Sequence, residues 1–349
     1  MAKAPWWEFV KVVDKKMKMN KFVTVFFAAV LALSFAGCKK NQNSKTESEA
    51  EKQKIKVVAT IFPEYDWVKN LIEGSDSFEL ELLVKNGTDL HSYQPSTADI
   101  VKIASSDLFI YVGGESDFWV SQVIKNSNNK NQFTVNLMEI LAQNVKEEET
   151  VEGMQSHEEN DGHEDEIEYD EHVWLSVKNA KTAVTKIAEY LEVLDLANSS
   201  VYAKNLQNYL EKLDSLSEIA TELSQKNDFS SKPLIFCDRF PFRYMTDELG
   251  AKYFAAFSGC SAETEASFET VAFLSKKVQE FEEPGVFVTE NSDKKIAKTV
   301  IKNAGFDGKC EIFVIDSMQS ATFEQIKAGK NYIDVMKENY EKLNFLGKE

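Results

Sequence analysis

Four histidines serve the whole chain, and an imidazole nitrogen with a free lone pair is either a base or a metal ligand. His91 lies in "GTDLHSYQPS", a run of turn formers. His157, His163 and His172 fall together in "HEENDGHEDEIEYDEHVWL", among carboxylates, with no Lys or Arg between them. Neither stretch carries the HExxH of a zinc protease or the spacing of a zinc finger. Taken singly, a loop histidine is more often exposed polar surface. Two neutral imidazoles from separate loops, joined by one or two carboxylates, make an N/O site suited to Zn(II) or, with more oxygen, to Mn(II).

The acidic context separates the three. Thirteen Asp and Glu and no Lys or Arg fall between Glu147 and Glu171, so this segment carries most of the formal charge of −17. Such a stretch cannot bury a core, and it reads as a disordered loop over 147–171. His157 and His163 inside it make a weak collector of divalent cations. His172 differs because it opens onto the apolar "VWLS" and a helical pattern. The charge also excludes nucleic acid as a partner, since phosphate binding needs basic patches.

The elements that must hold these residues show as alternating periods. "IKVVATIF" is a β-branched run for a strand buried on both faces, "YDWVKNLIEG" has helical spacing, and "FELELLV" alternates as a strand. The helix "TADIVKIASS", capped at Ser96 or Thr97, and the strand "DLFIYVGG" follow. This order gives a parallel sheet with helices on its faces. The pattern restarts after Lys226 with strands "PLIFC", "KYFAAF", "GVFVTE" and "EIFVID", separated by helices, and closes on a helix from Asn331 to Leu343. Between the two runs, Ser199 to Lys226 reads as about seven helical turns without Gly or Pro. The fold class is therefore α/β, two lobes each with a mainly parallel sheet flanked by helices, with one long helix between them. Ligands of such sheets bind at the C-terminal ends of the strands.

The N-terminus reads as an export signal. Phe22–Ala36 is apolar, follows Lys15, Lys16, Lys18 and Lys21, and is too short to favour a spanning helix. "LSFAGCKK" is similar to a bacterial lipobox, with Phe35 where Leu is usual, and makes Cys38 the lipidation site. Residues 39–53 hold nothing to bury and read as a tether. The expected organisation is 1–37 signal peptide, 38–53 tether, 54–198 N-terminal lobe, 199–227 linker helix and 232–349 C-terminal lobe. Cys237, Cys260 and Cys310 remain in the body, an odd number without CxxC spacing, so a disulfide scaffold is not expected.

"DLHSYQPSTADI" and "YDEHVWLSVKNA" resemble the two signature segments of the metal-specific substrate-binding lipoproteins of bacterial ABC importers, usually near PHxYEPxxxDI and DPHxWLxxxNA. The resemblance runs from Ile55 to the C-terminus. It implies two α/β lobes bridged by a rigid helix, with His91 and His172 as metal ligands. An acidic, His-bearing insert before the second histidine is common in the zinc-importing members. The third-ligand stretch of the family, HDAFGYF, corresponds here to "CDRFPFRY". That puts Cys237 in the ligand position, with Asp238 in reserve, and a thiolate favours zinc over manganese. The family's "FVESSVD"-like stretch aligns with "FVTENSDKK", giving Asp293 as fourth ligand and Glu290 as its alternative. Glu263 and Glu265 are expected to support the site or cap a helix.

The resemblance implies a receptor, a monomer tethered outside the cell membrane or in the periplasm, that captures Zn(II) and delivers it to an ABC permease. Mn(II), or a broader divalent range, is the alternative cargo. Catalysis is not expected, because no general base stands out beside the histidines. A zinc-dependent hydrolase and an adhesin-like lipoprotein are the readings from other classes.

Overall fold

The β-branched stretch Ile55–Ala59 forms β1, whose inner residues are buried as a two-sided strand requires. In the computed structural model, which describes residues 53–127, 129–155, 168–261 and 265–344, β1 starts the first of two parallel sheets. The signal peptide with Cys38, most of the tether, His157, His163 and Glu263 lie outside the described residues.

The first sheet joins β1 to β2 (Phe78–Leu82), β3 (Leu108–Tyr111) and β4 (Phe133–Asn136) in the order β2-β1-β3-β4. Helices α1 (Phe62–Leu71) and α2 (Thr97–Ser105) make the first crossovers. Ser96 caps α2, with Asp99 reaching back to complete a capping box. Helix α3 (Val120–Lys125) and the short α4 (Leu137–Ile140) flank β4. Helix α5 (Val177–Leu194) then leads into α6 (Ser199–Lys226), whose 28 residues span about 42 Å at 1.5 Å per residue.

The second sheet repeats the plan. Strands β5 (Leu234–Phe240), β6 (Tyr253–Ser258), β7 (Gly285–Thr289) and β8 (Glu311–Ile315) run in the order β6-β5-β7-β8, all parallel. In both sheets the chain reverses its direction of travel between the first and third strands, so both have a switch point at their strand ends. One core joins them. Val57 and Trp67 from the first half, Leu213 and Leu216 from α6, and Phe236 and Met336 from the second half belong to a single apolar cluster.

Helix α6 rests on both lobes. Near its start, Asn205 Nδ2 donates to Leu71 O at 2.9 Å, and just past its end Asn227 Nδ2 donates to Asn344 Oδ1 at 3.2 Å. Trp174, fully buried, ties the lobes closer to the cleft. Its Nε1 donates to Ser317 O at 2.8 Å, and its carbonyl accepts from Tyr332 Oη at 2.6 Å.

The acidic segment departs from the expectation of a loop unstructured throughout. Glu147 bridges to Tyr169, and Gln155 to Phe257 of β6, with Gln155 N donating to Ala256 O at 2.9 Å. Apolar residues explain this, because Met154 is buried within the core.

Candidate metal centre

The loops at the strand ends converge on the two histidines. His91 sits on a 3-10 turn after β2, where Asp89 Oδ1 accepts from the His91 backbone N at 3.0 Å. His172 sits just before a 3-10 turn leading to α5, and Asp170 Oδ1 accepts from its backbone N at 2.9 Å. In each case a carboxylate two residues upstream fixes the backbone at the entry of the turn. The two Nε2 atoms stand 3.1 Å apart.

Each ring is oriented from its far side. His91 Nδ1 is 2.7 Å from Ser116 Oγ and 3.7 Å from Glu171 Oε2. His172 Nδ1 is 2.9 Å from Asp170 Oδ1, so that nitrogen carries the hydrogen and Nε2 is left to face the centre. Burial lowers the pKa of His172, but the carboxylates of Asp170 and Glu171 outweigh it and hold it above the ordinary histidine value. Burial, then the neighbouring His172, pushes His91 well below that value. The pair therefore takes up one proton easily and a second only in strong acid.

Cys260, in the loop after β6, brings the third donor. The ring nitrogens of His91 and His172 and the Cys260 sulfur lie within 4.8 Å of one another. Burial raises the thiol pKa, and the carboxylate of Glu148 raises it further. Gly259 lets the loop approach, because a Cβ there would lie 2.9 Å from His172 Cε1 and 3.0 Å from Phe240 O.

Cys237, expected as third ligand, is not brought to the histidines. It is 1% exposed and packs with Ile235, Ala256 and Val286 in the second apolar cluster. A β-bulge is the cause. Phe236 pairs with Ala255 and Arg239 with Phe257, so Cys237 and Asp238 oppose a single residue of β6. The bulge leaves Cys237 in the core, while Asp238 and Arg239 line the cleft. Asp238 Oδ2 accepts from Thr289 Oγ1 at 3.0 Å, which closes a strand end instead of serving the imidazoles.

The remaining carboxylates are likewise placed elsewhere. Asp293 lines the same 660 Å³ cavity as His91 and Cys260, but its side chain is 58% exposed and pairs with Lys295. Glu290 is turned inward, accepting from Ser317 Oγ at 2.8 Å, Ser320 Oγ at 3.0 Å and Ser317 N at 3.0 Å. Glu265 does not cap α7 (Phe268–Glu280); Ser267 does, by accepting from Thr270 N.

Arg239, a residue of the unexpected bulge, crosses the cleft. Its Nη2 donates to Asp89 Oδ2 at 2.6 Å, joining the end of β5 to the loop of His91. Burial raises the Asp89 pKa, but the guanidinium outweighs it and holds the carboxyl below its ordinary value.

The chain was compared with known proteins. A family model described as zinc-uptake complex component A, periplasmic (ZnuA), matches residues 57–344. The zinc-binding lipoprotein AdcA of Streptococcus pneumoniae is 30% identical over 325 residues, covering 93% of this chain and 60% of AdcA. The chain thus spans about three fifths of the length of the AdcA relatives it matches. The high-affinity zinc uptake system protein ZnuA of Bacillus subtilis is 28% identical, covering 93% of this chain and 97% of that protein. Among solved structures, the Zn(II)-bound ZnuA-like domain of S. pneumoniae AdcA superposes with a TM-score of 0.65 at 27% identity, over 85% of this chain and all of that domain.

Proposed function

The chain belongs to the ZnuA family of zinc-uptake components, and we propose that it is an extracytoplasmic receptor that captures Zn(II) between its lobes and hands it to an ABC permease. One observation carries this reading: two imidazole Nε2 atoms and a thiol meet at the mouth of both sheets. Tetrahedral zinc with Zn–N bonds of 2.0–2.1 Å sets its nitrogens about 3.3 Å apart. The 3.1 Å between His91 and His172 is close to that spacing. A thiolate beside two imidazoles favours Zn(II) over Mn(II), which prefers oxygen donors.

The geometry supports binding without catalysis. Asp170 and Glu171, which face the ring Nδ1 atoms, lie away from the atoms that would hold the metal. A base for a metal-bound water would have to face the opposite way. The core shared by both lobes supports release by small rearrangements at the cleft rather than by a wide opening. In this reading Cys38 anchors a monomer to the membrane, and His157 and His163 concentrate cations near the cleft.

Competition titration with Zn(II) and Mn(II) tests the proposal. One Zn(II) per chain should bind at submicromolar concentration, and Mn(II) far more weakly. Deleting residues 156–167 should slow capture and leave that stoichiometry intact. Mn(II) binding as tightly as Zn(II), or hydrolysis of esters or phosphates by the zinc-loaded protein, would overturn it.

A further inference from the structure

Three donors leave a tetrahedral zinc site open, and a receptor that only carries its cargo gains affinity from closing it. Four carboxylates near the cleft do not fill the gap. Asp238 and Glu290 are held by hydroxyl and backbone groups, and Asp293 is exposed and paired with Lys295. Glu171 Oε2 is buried without a hydrogen-bond partner, but it faces His91 from the Nδ1 side.

We infer that the side-chain carbonyl of Gln319 is the fourth donor, closing a shell of two imidazole nitrogens, one thiolate and one amide oxygen. The inference rests on the zinc-receptor reading above and adds a ligand to it. Gln319 Oε1 lies 3.1 Å from His172 Nε2, the same spacing that separates the two imidazoles. Its side chain comes from the loop after β8 and is 2% exposed, so the oxygen is fixed in the cleft rather than free in solvent.

The amide has a defined orientation. Gln319 Nε2 donates to Asp89 Oδ2 at 3.2 Å, and a carboxylate can only accept. The NH2 end therefore points to Asp89 and the carbonyl end to the histidines. Asp89 also receives the His91 backbone N and the Arg239 guanidinium. One carboxylate thus sets two of the proposed donors, with a cation from the other lobe holding it in place.

The loop beneath Gln319 is braced as well. Glu290 accepts from both Ser317 and Ser320, and Trp174 donates to Ser317 O. Met318, between them, has φ 65°, a left-handed conformation uncommon outside glycine. Glu290 is therefore a positioning residue for this donor.

An amide oxygen has a chemical consequence. It is neutral and a weaker donor than a carboxylate, so it closes the shell while leaving the cargo removable. It also withholds the charged oxygen that Mn(II) favours, making Gln319 a determinant of metal choice.

The test compares Gln319→Leu and Gln319→Glu with the wild type. Zn(II) affinity should fall by about 10- to 100-fold in Gln319→Leu, the range seen when a metal site loses a supporting group. Gln319→Glu offers the metal a charged oxygen but sets its second oxygen against Asp89 Oδ2, so the ratio is the readout: Mn(II) affinity should rise relative to Zn(II). The visible spectrum of the Co(II)-loaded protein should shift in both, which a purely structural role would not produce. Wild-type affinities and an unchanged Co(II) spectrum in Gln319→Glu, alongside changes in Cys260→Ala, would overturn the inference and leave the receptor intact. Failure of the wild type to bind Zn(II) would remove both readings together. Should Gln319→Leu fail to fold, the Glu variant decides alone.

Discussion

His91 and His172 bring their Nε2 atoms to 3.1 Å across a buried cleft, with Asp170 behind one ring and Ser116 behind the other. Two imidazolium ions cannot share that space, and a metal must displace whatever proton they hold. His172 titrates above the ordinary histidine value, and the Cys260 thiol stays protonated well beyond neutrality. Binding as thiolate releases one proton throughout the neutral range, and a second is displaced below the His172 pKa. Zn(II) affinity should therefore fall about tenfold per pH unit above the His172 pKa and about a hundredfold per unit below it. Titrations in buffers of different ionisation enthalpy count the protons directly. Affinity that stays flat from pH 8 to 5 would rule out imidazole and thiolate ligation.

Two cysteines of the second lobe, Cys260 and Cys237, should respond in opposite ways. Cys260→Ser removes the soft donor and should weaken Zn(II) binding while leaving thermal stability nearly unchanged, since the side chain is only half-buried. Cys237→Ser places a hydroxyl in an apolar cluster and should cost about 1–3 kcal/mol of stability with little effect on metal binding. Cd(II) provides a direct readout through its thiolate charge-transfer band. That band should vanish in Cys260→Ser and persist in Cys237→Ser, and the reverse pattern would return the ligand role to β5.

The contrast between these cysteines shows what the sequence could reveal. Period and turn chemistry were enough for seven of the eight strands described and for the bounds of α6, because parallel strands and long amphipathic helices write strong repeats. They were too weak for β4 and α3, which are short and separated by the polar run Asn126–Gln132. His91 and His172 were weak candidates by position alone, and it was the resemblance of "DLHSYQPSTADI" and "YDEHVWLSVKNA" to the family's signature segments that implied them as ligands. Cys260 was not implied, because an ungapped reading of "CDRFPFRY" cannot show a bulge, and one extra residue turns a side chain from the cleft into the core. Gln319 carries no metal-site signature in any pattern; only its distance to His172 reveals it.

Gly259 is the position where backbone approach matters most for the centre. A methyl group there would press on His172 Cε1 at 2.9 Å and on its Nδ1 at 3.1 Å, with the Phe240 carbonyl blocking the other side. Gly259→Ala should push the Cys260 loop and the imidazole apart by a few tenths of an ångström and lower Zn(II) affinity about tenfold, because such sites tolerate only about 0.5 Å of misplacement. Circular dichroism should remain that of the wild type. An alanine variant with unchanged affinity would show that the loop yields freely and that the fit around His172 is loose.

Glu64, a buried acid in the first turn of α1, should govern stability instead of binding. Glu64 Oε2 accepts from Thr60 N at 2.9 Å, Thr60 Oγ1 at 3.0 Å and Ile61 N at 3.2 Å, while its Oε1 is buried without a hydrogen-bond partner. Burial, then the nearby Asp117, raises its pKa from 4.5 to about 8 against those three hydrogen bonds. The folded protein thus keeps Glu64 neutral at pH values where the unfolded chain has lost the proton. Its contribution is fully present below pH 4.5, declines as pH rises, and is gone above about 8. Glu64→Gln retains a carbonyl for the three donors and cannot ionise. The variant should therefore lose less stability than the wild type between pH 5 and 9, as measured by urea unfolding without metal. Parallel pH profiles for the two proteins would mean that Glu64 is ionised in the folded state, with its charge borne by the Thr60–Ile61 donors.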